Sequence, residues 1–199
     1  MIGEEILSEL MILLIAGLAA LVLTLEDWRG WLLAWALMGA GGGWLLQQTP
    51  GVPGQLASIQ VLTSALLALL LYLTGWQAWK AAPKTLTSRP PVHWRFRALA
   101  ALFFHYLARI LAARFPIPIA PAPILITTYT LIGIGLLIAT LGRSPLQVGL
   151  GILTMFSGYG LFYFSVQDSL LAIGLMAGMN LVIAFLTAAL TLVRQEASA

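Results

Sequence analysis

Seven apolar segments follow one another along this chain, at about residues 6–25, 30–46, 55–79, 96–115, 124–141, 146–166 and 169–193. All but the fourth have centres free of Asp, Glu, Lys, Arg and His. A run of roughly 20 apolar residues is the length that crosses a bilayer as an α-helix. Within lipid the backbone finds no water, so helix or closed barrel are its only spanning forms. These runs are continuously apolar and do not alternate, which argues against a barrel. Composition agrees: 60% of residues are hydrophobic and 9% charged, where a soluble domain carries about 25% charged residues. So little polar surface cannot cover a soluble core, and the hydrophobicity excludes disorder. The expected fold class is an all-α polytopic integral membrane protein with about seven transmembrane helices, or six if the fourth segment lies flat, and no soluble domain.

The expected layout is a three-helix bundle over residues 1–80, a basic cytoplasmic loop over 81–97, and a four-helix unit over 98–199. Pro83, Pro90 and Pro91 interrupt the loop, since proline discourages continuous helix. Residues 116–123, with Pro116, Pro118, Pro121 and Pro123, also cannot be regular helix. Short links at 142–145 and 167–168 suit tight hairpins, with Asp168 as an N-cap. The N-terminal stretch carries Glu4, Glu5 and Glu9 and no basic residue, unlike a cleavable signal peptide.

Lys and Arg in short loops mark the cytoplasmic face. In a seven-span chain, Arg29, Lys80, Lys84, Arg89, Arg95, Arg97, Arg143 and Arg194 fall on one side, and Arg109 and Arg114 on the other. A six-span chain also divides eight against two, so this rule does not decide the span count. The seven-span reading places the N-terminus outside and the C-terminus in the cytoplasm, in a prokaryotic-type inner membrane. Trp28, Trp31, Trp76, Trp79 and Trp94 lie near the basic-side helix ends and suit an interfacial aromatic belt.

Ionisable groups inside a membrane are costly and often functional. His105 and Arg109 are four residues apart and share a helical face, with Ala101, Ala108 and Ala112 on or beside it. They suit a proton path or a partner contact, or else a surface helix with a snorkelling arginine. Glu9 is an entrance carboxylate, interfacial or part of such a path. Asn180 lies mid-span and suits interhelical hydrogen bonding or a water chain, and Thr127, Thr128, Thr130, Thr154 and Ser157 suit the same hydrogen-bonding role. Gly39 and Gly43, Gly174 and Gly178, and the heptad-spaced Gly151 and Gly158 read as helix-packing faces. Arg89, Arg95 and Arg97, interleaved with aromatics, read as a loop docking on anionic lipid or a partner subunit rather than on nucleic acid. With no cysteine and no HExxH, P-loop, GxSxG or paired-carboxylate motif, no catalytic residue, metal or cofactor is expected.

The stretch GLLIATLGRSPL over 135–146 leads into GLGILTMFSG over 149–158 and then AIGLMAGMNLVIAF over 172–185. Over about residues 124–193 this resembles the E-component family of hydrogenase-4-type membrane hydrogenases. More distantly it resembles the K-type small subunit of respiratory complex I and of cation/proton antiporters. The resemblance implies a glycine-rich helix after an Arg-bearing turn, in a tight hairpin with the next. It also implies a membrane-embedded Glu, and there this chain has Phe156 or Gly151, depending on register. Neither side chain titrates. The expected function is therefore a non-catalytic membrane subunit of a complex-I-like or hydrogenase-like ion-translocating assembly. Its expected partners are other integral subunits and lipids. The alternatives are a small autonomous transporter, built around the broken 116–123 segment, or a structural subunit of another respiratory or photosynthetic complex.

Overall fold

A computed structural model describes residues 2–49, 52–81, 92–167 and 169–196. These form seven α-helices and no strand: α1 (Ile2–Thr24), α2 (Trp28–Gln47), α3 (Gly54–Ala81), α4 (Trp94–Arg114), α5 (Ala122–Leu141), α6 (Pro145–Val166) and α7 (Leu170–Glu196). Local chemistry sets the starts. Asp27 caps α2 by accepting from Arg29 N at 3.2 Å, and Ser144 caps α6 by accepting from Gln147 N at 3.1 Å. Proline stands in the first turn of both α5 and α6, where its missing N–H costs nothing. The proline-rich segment joins two complete helices as an irregular connection over 115–121.

Six of these helices, α1 and α3 to α7, are long and apolar enough to cross a membrane. The protein is thus an all-α multi-pass membrane protein with no soluble domain among the described residues. The fourth segment, doubtful because of His105, Arg109 and Arg114, meets the requirement. The helix that falls short is α2, with its tryptophans and run of glycines. The physical reason lies in its position. Twelve of its 20 residues are buried, among them Trp31, Trp35, Met38 and Gly41 to Gly43. Most of its surface thus meets protein and need not be strongly apolar, while Leu33 and Leu37 on its remaining face point outward.

One hydrophobic core runs through both halves of the chain. Ile15 and Leu23 of α1, Trp35 and Leu46 of α2, Leu67 and Leu71 of α3, Ile134 and Ile138 of α5, Leu150 and Leu153 of α6 and Ala184 of α7 all belong to it. The first three helices and the last four are therefore packed into one bundle, with α1 against α4 and α5, and α3 against α7. A small satellite cluster of Ala112, Ala120 and Leu125 seats the 115–121 connection.

Two sequence expectations about the basic end need correction. Trp28 and Trp31 are core residues, 1% and 2% exposed, and not members of an interfacial belt. Gly75 makes room for Trp28, whose ring stands 2.7 Å from where a Cβ would sit, and Trp31 Nε1 donates to Leu25 O at 2.8 Å. Trp79 and Trp94 do face outward. Arg29 lies over the rings of Trp76 and Trp79, both at 5.2 Å, and Lys80 over Trp76 at 5.1 Å. Arg194 Nη1 donates to Arg143 O at 2.5 Å, so the end of α7 stands beside the α5–α6 turn.

Candidate functional site

Three of the four polar residues singled out in the sequence come together where α1, α4 and α5 meet. Arg109 of α4 donates from Nη2 to Glu9 Oε2, a residue 100 positions earlier in α1. Arg109 Nε donates to His105 Nε2 at 3.2 Å, one turn back on α4. His105 Nδ1 stands 3.2 Å from Thr130 Oγ1 of α5. Thr130 Oγ1 in turn donates to Ile126 O at 2.7 Å.

The directions follow from the donor inventory. A guanidinium only donates, so Nε2 of His105 accepts and the imidazole is neutral. Its proton then sits on Nδ1 and goes to Thr130, whose own hydrogen is committed to the Ile126 carbonyl. Every bond in the series is thus satisfied, and it ends on a backbone carbonyl. A proton wire needs members that can each give and take a proton, and it needs an exit. Arginine does not release its proton, and a backbone carbonyl passes none on. The geometry is that of a clamp fastening α4 to α1 and α5.

Placement suits the membrane. His105 is buried on the α4 stripe that also carries Arg97, Ala101, Ala108 and Ala112. The small alanines let α4 come close to its neighbours. Arg109 and Glu9 are 37% and 48% exposed and lie toward one end of the bundle. Arg109 is five residues from the end of α4, or about 7.5 Å along the axis at 1.5 Å per residue. That depth is near the headgroups, where an arginine is least costly.

The fourth residue, Asn180, does not join this cluster. It lies half-buried on α7, and its Oδ1 is buried with no hydrogen-bond partner. Thr130, assigned to general interhelical hydrogen bonding, is instead the α5 anchor of the clamp. Nothing in the spacing pairs residue 130 with residue 105. Of the other hydroxyls, Thr128 bridges helices by donating to Gly158 O at 3.1 Å. Thr127, Thr154 and Ser157 donate to carbonyls four residues back in their own helices.

The proposed docking arginines separate. Arg89 lies outside the described residues. Arg95 is exposed, as a docking residue would be, but it belongs to α4 and stacks over Trp94 at 5.6 Å. Arg97 corrects the expectation outright. It is in α4, only 1% exposed, and donates from Nη1 to Leu23 O at 2.6 Å. The unsatisfied carbonyls in the last turn of α1 form the negative end of the helix dipole, which draws a cation inward. Arg97 and Arg109 therefore fasten α4 to the two ends of α1.

The glycines also divide. A methyl group at Gly43 would stand 3.0 Å from Ala57 O, and one at Gly39 would run into the Ser64 side chain. At Gly151 it would strike Ala139 N, and at Gly158 it would lie 2.8 Å from Leu131 Cβ. These four are packing glycines within the chain. Gly174 and Gly178 are not, for a Cβ at either would meet nothing within 4 Å among the described residues. They border an outward-facing apolar groove of about 590 Å³, with Ile152, Phe156, Met179 and Val182. Among the described residues no group of three or more His, Asp or Glu could hold a metal ion. Compared with protein-family models, curated proteins and solved structures, the chain matches none.

Proposed function

We propose that this chain is a non-catalytic membrane subunit of a larger ion-translocating assembly, seated between bigger integral subunits. Its resemblance to hydrogenase-4-type and complex-I-like components supplies the class of assembly. In that reading the N-terminus faces outside and the basic end of the bundle faces the cytoplasm. The observation that carries the proposal is the outward pair Gly174 and Gly178, a GxxxG spacing at which a Cβ would meet nothing within 4 Å among the described residues. Small residues at that spacing let a second helix approach closely, with van der Waals packing as the driving force. The closed polar clamp supports the same reading. Glu9, His105 and Arg109 are engaged with one another.

The test uses the absence of neighbours. At Gly178 a Cβ would meet nothing within 4 Å among the described residues and the groove beside it is open, so the helicity and melting temperature of Gly178→Leu are expected to stay at the wild-type level. Purification in mild detergent is expected to recover the wild type with large co-purifying membrane subunits and G178L without them. Recovery of the wild type as a lone monomer or simple homodimer, or undiminished association of G178L, would overturn the proposal. The transporter alternative drew on a broken helix, and residues 115–121 connect two complete ones. Substrate uptake by the chain alone in liposomes would restore it.

A further inference from the structure

The two arginine clamps leave an opening between them. Along the α1–α4 seam, Arg97 holds Leu23 at one end and Arg109 holds Glu9 at the other. Between them lie two apolar cavities that share Leu13, Leu102 and His105. One, of about 790 Å³, follows the outer side of α4 from Phe96 to Arg109. The other, of about 300 Å³, lies between α1 and α4, where Gly17 has nothing within 4 Å. The cavities flank Leu102, and the larger one reaches Arg109 of the Glu9–Arg109 pair.

We propose that this seam binds one phospholipid whose headgroup carries both a phosphate and a primary ammonium. The two acyl chains would lie one in each cavity, astride Leu102. Length fits: the 14 residues from Phe96 to Arg109 extend about 20 Å along the helix, against roughly 15 Å for half the hydrocarbon thickness. Charge selects the headgroup. The pair at the mouth is net neutral and each side chain is partly exposed, 37% for Arg109 and 48% for Glu9. An arginine alone would favour a net-anionic lipid. An arginine and a glutamate side by side match a zwitterion, with the guanidinium taking phosphate oxygens and the carboxylate taking the ammonium. The ammonium must carry N–H groups, because a trimethylated one donates no hydrogen bond to Glu9.

Native mass spectrometry of the delipidated full chain tests this, with phosphatidylethanolamine, phosphatidylcholine and phosphatidylglycerol of identical acyl chains supplied in equal amounts. The wild type is expected to retain one phosphatidylethanolamine in preference to the other two. Leu102→Trp sets a bulky ring between the two cavities from an exposed position and is expected to lose that retained lipid while keeping its helicity. Glu9→Gln leaves the arginine without its carboxylate and is expected to shift the preference to phosphatidylglycerol. Equal retention of all three lipids by the wild type, a wild-type preference for phosphatidylglycerol, or unchanged retention by L102W would overturn the proposal.

Discussion

Gly151 and Gly178 sit in similar apolar surroundings in the sequence, and each belongs to a spaced glycine pair. Their positions in the bundle are opposite. At Gly151 the backbones of α5 and α6 approach so closely that a Cβ would strike Ala139 N and lie 2.8 Å from Gly135 O. At Gly178 the surface is bare. The α5–α6 seam has glycine because two backbones already occupy the space. The α7 surface has glycine where, among the described residues, no other backbone comes within 4 Å of a Cβ. Helix-periodic glycine spacing therefore identifies a surface capable of close packing without saying whether the chain supplies its own partner.

The largest effect should come from filling the inner seam. Gly151→Val forces a branched side chain into a backbone contact, a form of overpacking that costs about 1–3 kcal/mol where a core can adjust. Backbone on two sides leaves little room to adjust, so the expected outcome is loss of folded protein, read as recovery of a monodisperse peak after detergent extraction. A G151V protein with wild-type stability would erase the contrast between the two surfaces.

The α1–α4 seam stands between these extremes, fastened at its ends and open in its middle. Arg109→Ala removes the bonds to both Glu9 and His105. Both partners of the ion pair remain partly in solvent, so a loss of about 1–2 kcal/mol is expected. It should be visible as a lowered melting temperature in detergent and a lower yield of assembled complex, with turnover per assembled complex unchanged. A normal amount of complex with lost pumping would show that Arg109 serves transport rather than packing.

Smaller again is Thr128→Val, which deletes the hydrogen bond to Gly158 O across the α5–α6 seam at a cost of about 1 kcal/mol. Denaturant titration in mixed micelles would measure it, and no change would mean that glycine packing alone holds the seam. The smallest effect has the opposite sign. Gly178→Ala in the isolated chain should gain up to about 1 kcal/mol from helix propensity and reduced unfolded-state freedom. A destabilised G178A chain would mean that this surface is covered from within.

Much of the architecture was legible in the sequence, because a bilayer leaves the backbone few choices. The positions of all seven helices follow from apolar runs and proline breaks. The interior was less legible, because hydrophobicity along a chain does not say which helix is central. Trp28 and Trp31 illustrate this: near a helix end, tryptophan suits an interface, yet Gly75 on α3 opens a place for Trp28 inside. Arg97 looked like a loop cation until the carbonyl end of α1 was placed beside it. His105 and Arg109 were readable as a pair from helical periodicity. Their partners Glu9 and Thr130 were not, since they lie 100 and 25 positions away on other helices.

The sequence by itself determined that this chain is a helical multi-pass membrane protein and which glycines are capable of close packing. These properties depend on composition and period, which the solvent reads residue by residue. Only the tertiary structure decided that α2 turns most of its surface inward, that Glu9, Arg109, His105 and Thr130 form one clamp, and that one glycine pair is covered while another is bare. Those properties depend on which helices become neighbours, and that is set by the packing of all seven together rather than by any segment alone.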